Sequence, residues 1–293
     1  MKWIVATNLR DDSRGALEFA AWLHRHVRER SEHPTAALAV IREGGAFVDT
    51  EETRALLQRR VMEAASTFVR QSPARDVVDA VDVRRAENVA AALSEAAAAP
   101  DTTLVIGRAA PRENRRLVRL GTVARRTLRL LGGPVFVVPP DWTTGLSGEG
   151  PVVVAVDPSI SSLAAIAFAE RVATAVGRPL LAVQAIRGVP ALGSAFLTPA
   201  EFTRTRERQH RQEVEELMTF LADHGRGSLP LRAVPGPTLH TLLDVADEVD
   251  AAMLVCGSRR LSVVERIVSA SVGSELAAFA ERPVAVVPPD YAV

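Results

Sequence analysis

Val135-Phe136-Val137-Val138-Pro139-Pro140-Asp141-Trp142 returns as Val284-Ala285-Val286-Val287-Pro288-Pro289-Asp290-Tyr291, 149 residues further on. The same shift lays Ile4-Val5-Ala6-Thr7-Asn8 on Val153-Val154-Ala155-Val156-Asp157, and Ala16-Leu17-Glu18-Phe19-Ala20 on Ala165-Ile166-Ala167-Phe168-Ala169. Self-similarity of this kind decides architecture before any motif does. The chain reads as one unit written twice, with a first domain over 1–142, a linker over 143–150 and a second domain over 151–293. The linker, Thr143-Thr144-Gly145-Leu146-Ser147-Gly148-Glu149-Gly150, is rich in Gly and Ser and lacks apolar periodicity, so a flexible connection is predicted.

Within each copy, short apolar runs alternate with longer segments whose apolar residues recur every three or four positions, which is the α/β pattern. In the second copy the runs are 152–156, 180–186, 230–235, 252–256 and 283–287; in the first they fall near 3–7, 36–41, 76–83, 103–106 and 134–138. Most are apolar on both faces, as parallel strands buried between two helical layers must be. Arg75-Asp76-Val77-Val78-Asp79-Ala80-Val81-Asp82-Val83 instead alternates polar with apolar, as an edge strand would. Helical spacing covers 161–176, 199–224, 238–248 and 262–281, and Thr198-Pro199 followed by Glu201 supplies an N-cap, a first-turn proline and an early carboxylate. The expectation is two doubly wound, Rossmann-like domains. Each has a parallel sheet in the order 3-2-1-4-5 with helices on both faces.

Composition excludes several classes. The 293 residues suffice for two domains at about 150 each, and 47% hydrophobic with 24% charged residues is the balance of an ordinary globular chain. Thirty-five basic residues cancel thirty-five acidic ones, leaving no overall pull toward nucleic acid or an anionic membrane. The lone Cys256 cannot form an internal disulfide. No apolar stretch reaches the ~18 residues of a membrane span or forms a signal segment, so a cytoplasmic location is expected.

Several catalytic chemistries lack their residues. There is no Gly-x-Ser-x-Gly nucleophile turn. A P-loop needs a lysine beside the phosphates, and the only lysine is Lys2. His24, His26, His33, His210, His224 and His240 show no metalloprotease spacing, so neither a metal site nor a catalytic residue is expected. Cys256, within Ala252-Met253-Leu254-Val255-Cys256, reads as core.

What remains is the crevice beyond the carboxyl ends of strands one and four, where ligands bind in such sheets. In the second copy strand one ends at Asp157 and strand four at Gly257-Ser258-Arg259-Arg260. A carboxylate there can accept from ribose hydroxyls or an adenine amine, while bare backbone can approach a phosphate. After a ten-residue loop, Ala270-Ser271-Val272 opens a helix whose unpaired N–H groups favour an anion.

These residues in this order resemble the universal stress protein family, whose domain carries Gly-x-x-Gly, nine residues, Gly and Ser or Thr, then a helix and a last strand of Pro-Val-x-Val-Val-Pro type. The second copy matches with Asp157, Gly257, Ser271 and Arg282-Pro283-Val284-Ala285-Val286-Val287-Pro288; Gly236-Pro237-Thr238-Leu239-His240-Thr241-Leu242-Leu243 looks like the entry to the third helix. Arg260 stands where the second glycine belongs and Ala270 where the third does. The first copy keeps Gly107 and Gly121-Thr122, but has Ala110 and Pro111, one extra loop residue, and Asn8 in place of the acid. The resemblance implies an adenine-nucleotide-alpha-hydrolase-like fold and a stress-response regulator rather than an enzyme, with weak ATPase activity left open. It implies ATP or a related adenine nucleotide, with Mg as an accompanying ion, in at least one domain. Asp157 would then hold ribose or base, and Gly257, Arg260, Ser271 and Val272 the phosphates; Asn8, Gly107, Gly121 and Thr122 play the same parts in the first copy. The alternative is a nucleotide-free interaction module with degenerate phosphate loops.

Two features concern partners. Arg108, Arg112, Arg115, Arg116, Arg119, Arg125, Arg126 and Arg129 make one segment basic, but no aromatics interleave it as single-strand binding requires. A solvated helix face is the expectation, and nucleic acid is not expected. Strand five of each copy would lie at a sheet edge, which invites pairing. The two domains are expected to pair there within the chain, with a homodimer of chains open beyond that.

Overall fold

The computed structural model describes residues 1–27, 33–43, 50–109, 120–187, 197–258 and 271–291. The first domain runs β1 (Lys2–Thr7), a 3-10 turn (Asp11–Ser13), α1 (Arg14–His26), β2 (Thr35–Arg42), α2 (Glu51–Arg70), β3 (Ala80–Ala86), α3 (Val89–Ala97), β4 (Thr102–Gly107), α4 (Thr122–Leu130) and β5 (Val135–Val138). The second runs β6 (Val152–Ala155), α5 (Ile160–Val176), β7 (Leu180–Ile186), α6 (Pro199–Asp223), β8 (Leu231–Pro235), α7 (Thr238–Glu248), β9 (Met253–Gly257), α8 (Val272–Phe279) and β10 (Val284–Val287).

All ten strands form one sheet in the order β3-β2-β1-β4-β5-β10-β9-β6-β7-β8. Each half is parallel in the expected order 3-2-1-4-5, and the halves meet where β5 runs antiparallel to β10, with Phe136 opposite Ala285. The repeated motif that reveals the duplication is therefore the seam that joins its copies. Val135 to Val138 and Val284 to Val287 are buried throughout, because pairing removes the edge and helices cover both faces. On one face α1 packs against α5, and Phe136 of the first domain meets Phe168 of the second at 5.8 Å between ring centres. Trp3 and Phe19 continue that aromatic layer inward, so one core cluster spans both domains.

The outer edges are β3 and β8, each only partly covered. Arg84 and Arg85 on the one, and Arg232 with a terminal Pro235 on the other, blunt further pairing. Local signals set the helix starts. Thr198 is the expected N-cap, accepting from the Glu201 backbone, and the Glu201 side chain accepts from Thr198 N, which makes the pair a capping box. Gly177 ends α5 at φ 67°, a left-handed position suited to a residue without Cβ.

Three sequence expectations need correction. The third strand occupies Ala80–Ala86 rather than 76–83, because Ala74 and Val77 are buried in a turn closed by Val77 N to Ala74 O at 3.1 Å. Asp79 is used as well, its carboxylate accepting from Thr35 N at 2.8 Å just before β3 begins. The last helix is described over Val272–Phe279 and stops at an extended Ala280, short of 281; residues 262–270 lie outside the described ones. The linker is tied to the second domain: Glu149 N and Gly150 N each donate to Asp250 at 2.8 Å, and Arg178 donates to Glu149 O. Thr144, within a 3-10 turn (Thr144–Leu146), accepts from Arg25 of the first.

Arg108 likewise is not a solvated residue of the basic segment. It is buried at the seam, and its Nη1 donates to the carbonyls of Ala278 and Ala280 at 2.8 and 2.9 Å. Burial lowers its pKa, against the pull of Asp141 and Glu281. Arg112, Arg115, Arg116 and Arg119 lie outside the described residues; Arg125, Arg126 and Arg129 are exposed on α4.

Candidate functional site

A cavity of about 590 Å³ opens beyond the carboxyl ends of β6 and β9, the topological switch point of the second domain. Asp157, Gly257, Ser271 and Val272 all line it. Arg260 lies outside the described residues. The cavity extends toward β7 and α6, where Gln184, Glu213 and Glu216 line it, and toward Thr238 and Leu242 of α7.

Each expected residue also has a local task. Asp157 Oδ1 accepts from the hydroxyl of Ser162 at 2.7 Å and from that of Ser159, and Asp157 N donates to Ser162 Oγ at 2.9 Å. Ser159 in turn caps α5 by accepting from Ser162 N. The carboxylate is thus pinned by the turn that starts the helix. Asn8 does the same in the first domain, where Ser13 Oγ donates to Asn8 Oδ1 at 2.7 Å and Arg10 N donates to it at 3.0 Å. Asn8 is exposed, and the next residue, Leu9, takes φ 60°, a left-handed conformation uncommon for a bulky side chain. Pro158 stands at that place in the second domain, and its ring forbids such a φ. The two loops after strand one therefore follow different paths.

Gly257 and Gly107 end the fourth strand of their domains. A Cβ on Gly257 would lie under 3.0 Å from the carbonyl of Ser161, and one on Gly107 under 3.0 Å from that of Asp12. Each glycine lets the chain after strand one cross directly over the end of strand four. Close backbone packing demands a glycine at both places whatever occupies the cavity.

At the opening of the last helix Ser271 is the N-cap, accepting from Ser274 N at 3.2 Å, whereas Gly121 caps α4 with no side chain. Thr122, paired by motif with Ser271, is an exposed first helical residue, not a cap. Val272 is exposed beside Ser271.

Cys256 sits in β9 next to Gly257 with its Sγ 3.6 Å from Ala285 O, and burial pushes its pKa up to about 12. Although the residue lines the cavity, a thiol so far from ionising is a packing group. At about pH 8 a thiol reagent is expected to label denatured chain at once and native chain slowly; rapid native labelling would contradict that burial.

Sequence reasoning missed Gln184, Glu213 and Glu216. A signal existed for the first, because a glutamine inside Leu180-Leu181-Ala182-Val183-Gln184-Ala185-Ile186 is a polar group in a strand apolar on both faces. The glutamates lie on α6 among so many other charged and polar residues between Glu201 and Glu216 that nothing in the sequence singles them out.

The universal stress protein family model matches residues 150–288. No curated protein matches the chain. Among solved structures, a universal stress protein from Archaeoglobus fulgidus DSM 4304 aligns over 98% of this chain and 98% of its own, with 16% identity and a TM-score of 0.64. A functionally unknown protein from Pseudomonas aeruginosa PAO1 aligns over 99% and 92%, with 15% identity and a TM-score of 0.62. Both likenesses run through both domains and concern the fold. Residues 150–288 belong to the universal stress protein family, and the chain as a whole has the fold of its tandem-domain form.

Proposed function

We propose that this chain is a cytoplasmic stress-response regulator whose second domain binds ATP or a related adenine nucleotide, with Mg as the counter-ion where a polyphosphate is held. The supporting observation is the 590 Å³ cavity that gathers Asp157, Gly257, Ser271 and Val272 from three separated stretches of chain. Its volume suits a drug-sized or cofactor-sized ligand, and the N-terminus of α8 offers unpaired N–H groups to a phosphate. The protein acts by binding. Asp157 is tied to two serine hydroxyls, which suits a positioned acceptor better than a general base.

The first domain has a different part in this reading. Asn8 Oδ1 already takes two donors from its own loop, and an amide is a weaker acceptor than a carboxylate. Its contribution is the paired strand, the shared aromatic core and Arg108.

Nucleotide at a hundred times its dissociation constant should stabilise the protein by about 2.7 kcal/mol, read as a rise in thermal midpoint and as nucleotide released on denaturation. Asp157→Asn is the discriminating variant, because Asn8 Oδ1 accepts from the serine five residues on as Asp157 Oδ1 does, so an asparagine can keep that contact. It should fold normally and bind about tenfold more weakly. No shift and no released nucleotide would leave the fold as a docking module.

A further inference from the structure

We propose that Gln184 reads the base of the bound nucleotide, accepting from an exocyclic amino group and so selecting amino-purines over keto-purines; this rests on the nucleotide reading above. Gln184 lines the cavity from β7 and is 4% exposed. Its Nε2 makes a long hydrogen bond, 3.4 Å, to the main-chain carbonyl of Glu213. A carbonyl only accepts, so the amide atom facing it must be the nitrogen, and that settles which way the amide points. Among the described residues the Oε1 is left buried with no hydrogen-bond partner. Buried amide oxygens without a donor are rare in folded proteins. A ligand N–H is the group that this one lacks.

The surrounding wall agrees in sign. Glu213 and Glu216 also line the cavity, and ionised carboxylates only accept. Glu213 Oε1 already takes Gln209 Nε2 at 2.8 Å, which fixes that carboxylate. Val183 and Leu242 add apolar lining suited to the faces of a flat ring. An amino group on that ring meets acceptors, whereas a keto oxygen in its place meets acceptors with an acceptor.

The test titrates the full chain with AMP and ATP, and in parallel with the inosine mono- and triphosphates, in which a keto oxygen replaces the amino group and N1 carries a hydrogen. Adenine forms should bind at least about tenfold tighter, since a site built to pair an N–H rejects the analogue that lacks it. Gln184→Met keeps the length of the side chain and removes the orphaned acceptor, so its thermal midpoint should hold or rise. In that variant the preference should shrink to within about threefold, through weaker binding of the adenine forms. Equal affinity of the unaltered protein for both bases would overturn the role of Gln184 while leaving nucleotide binding standing. An undiminished preference in Gln184→Met would do the same, and binding of none of the four would overturn both readings.

Discussion

Gly257→Ala is expected to destabilise the protein by about 3 kcal/mol or more, the upper end of the range for overpacking. The new Cβ would fall under 3.0 Å from the carbonyl oxygen and carbon of Ser161, and also from its Cβ. Two of these three atoms are backbone, so no side-chain rotation relieves the overlap. The first turn of α5 has to move, and the hydroxyls of Ser159 and Ser162 that hold Asp157 move with it. In a chain of this size that corresponds to a fall in thermal midpoint of about 6 to 12 °C. Gly107→Ala should do the same in the first domain, where the obstacle is the carbonyl of Asp12. Gly145→Ala is the control. Its Cβ would find only Thr143 Oγ1, at an ordinary 3.9 Å, and the midpoint should stay put. Equal behaviour of all three variants would contradict the close approach.

This result also bears on how the site is probed. Substituting Gly257 reports on folding before it reports on any ligand, so lost binding in such a variant would say nothing about phosphate. Asp157→Asn and Gln184→Met are cleaner, because each leaves the crossing of the two chain segments intact.

The seam, the duplication and the strand order were legible because they rest on one strong signal, a fully apolar run repeated with its flanking prolines. Strand β3 was misplaced for an equally physical reason. Val77 and Val78 alternate with acids as a half-buried strand would, yet Ala74 and Val77 are buried as a turn. Periodicity cannot tell the two apart over so few residues. Asp157 could be found because the switch point follows from topology alone. That it is held by serines could not, since Ser159 and Ser162 look like ordinary helix-start residues. Gln184 was visible as a polar intrusion but had no partner in sequence, because its neighbour Glu213 is 29 residues away on another element. Arg108 was the clearest loss. Composition alone made it one of many arginines, and its meaning came only when the second domain was folded against it.

Arg108→Ala should be the second large effect, about 3 kcal/mol, and should act on the joint between the domains. Arg108 N donates to Val138 O at 2.7 Å, as Ser258 N does to Val287 O in the second domain, so the two residues are structural equivalents. Only the arginine reaches across. Its Nη1 holds the carbonyls of Ala278 and Ala280 at the end of α8, where the negative end of the helix favours a cation. Short Ser258 cannot return the contact to α4, so the clasp is one-sided. Removing the guanidinium leaves two carbonyls short of a donor at about 1 to 3 kcal/mol for each that stays buried, and opens a void beside β5 and β10. Arg108→Lys should recover part of the loss, because an ammonium at the end of a flexible stem can reach one carbonyl but not both at guanidinium geometry. Denaturant unfolding followed separately by the tryptophans, which all lie in the first domain, and by Cys256 labelling in the second checks where the damage falls. The unaltered protein, with one sheet and one shared core, should lose both signals together. Arg108→Ala should lower the midpoint and separate them, while a change under about 0.5 kcal/mol, the scale of an ordinary surface substitution, would mean that water replaces the arginine without cost.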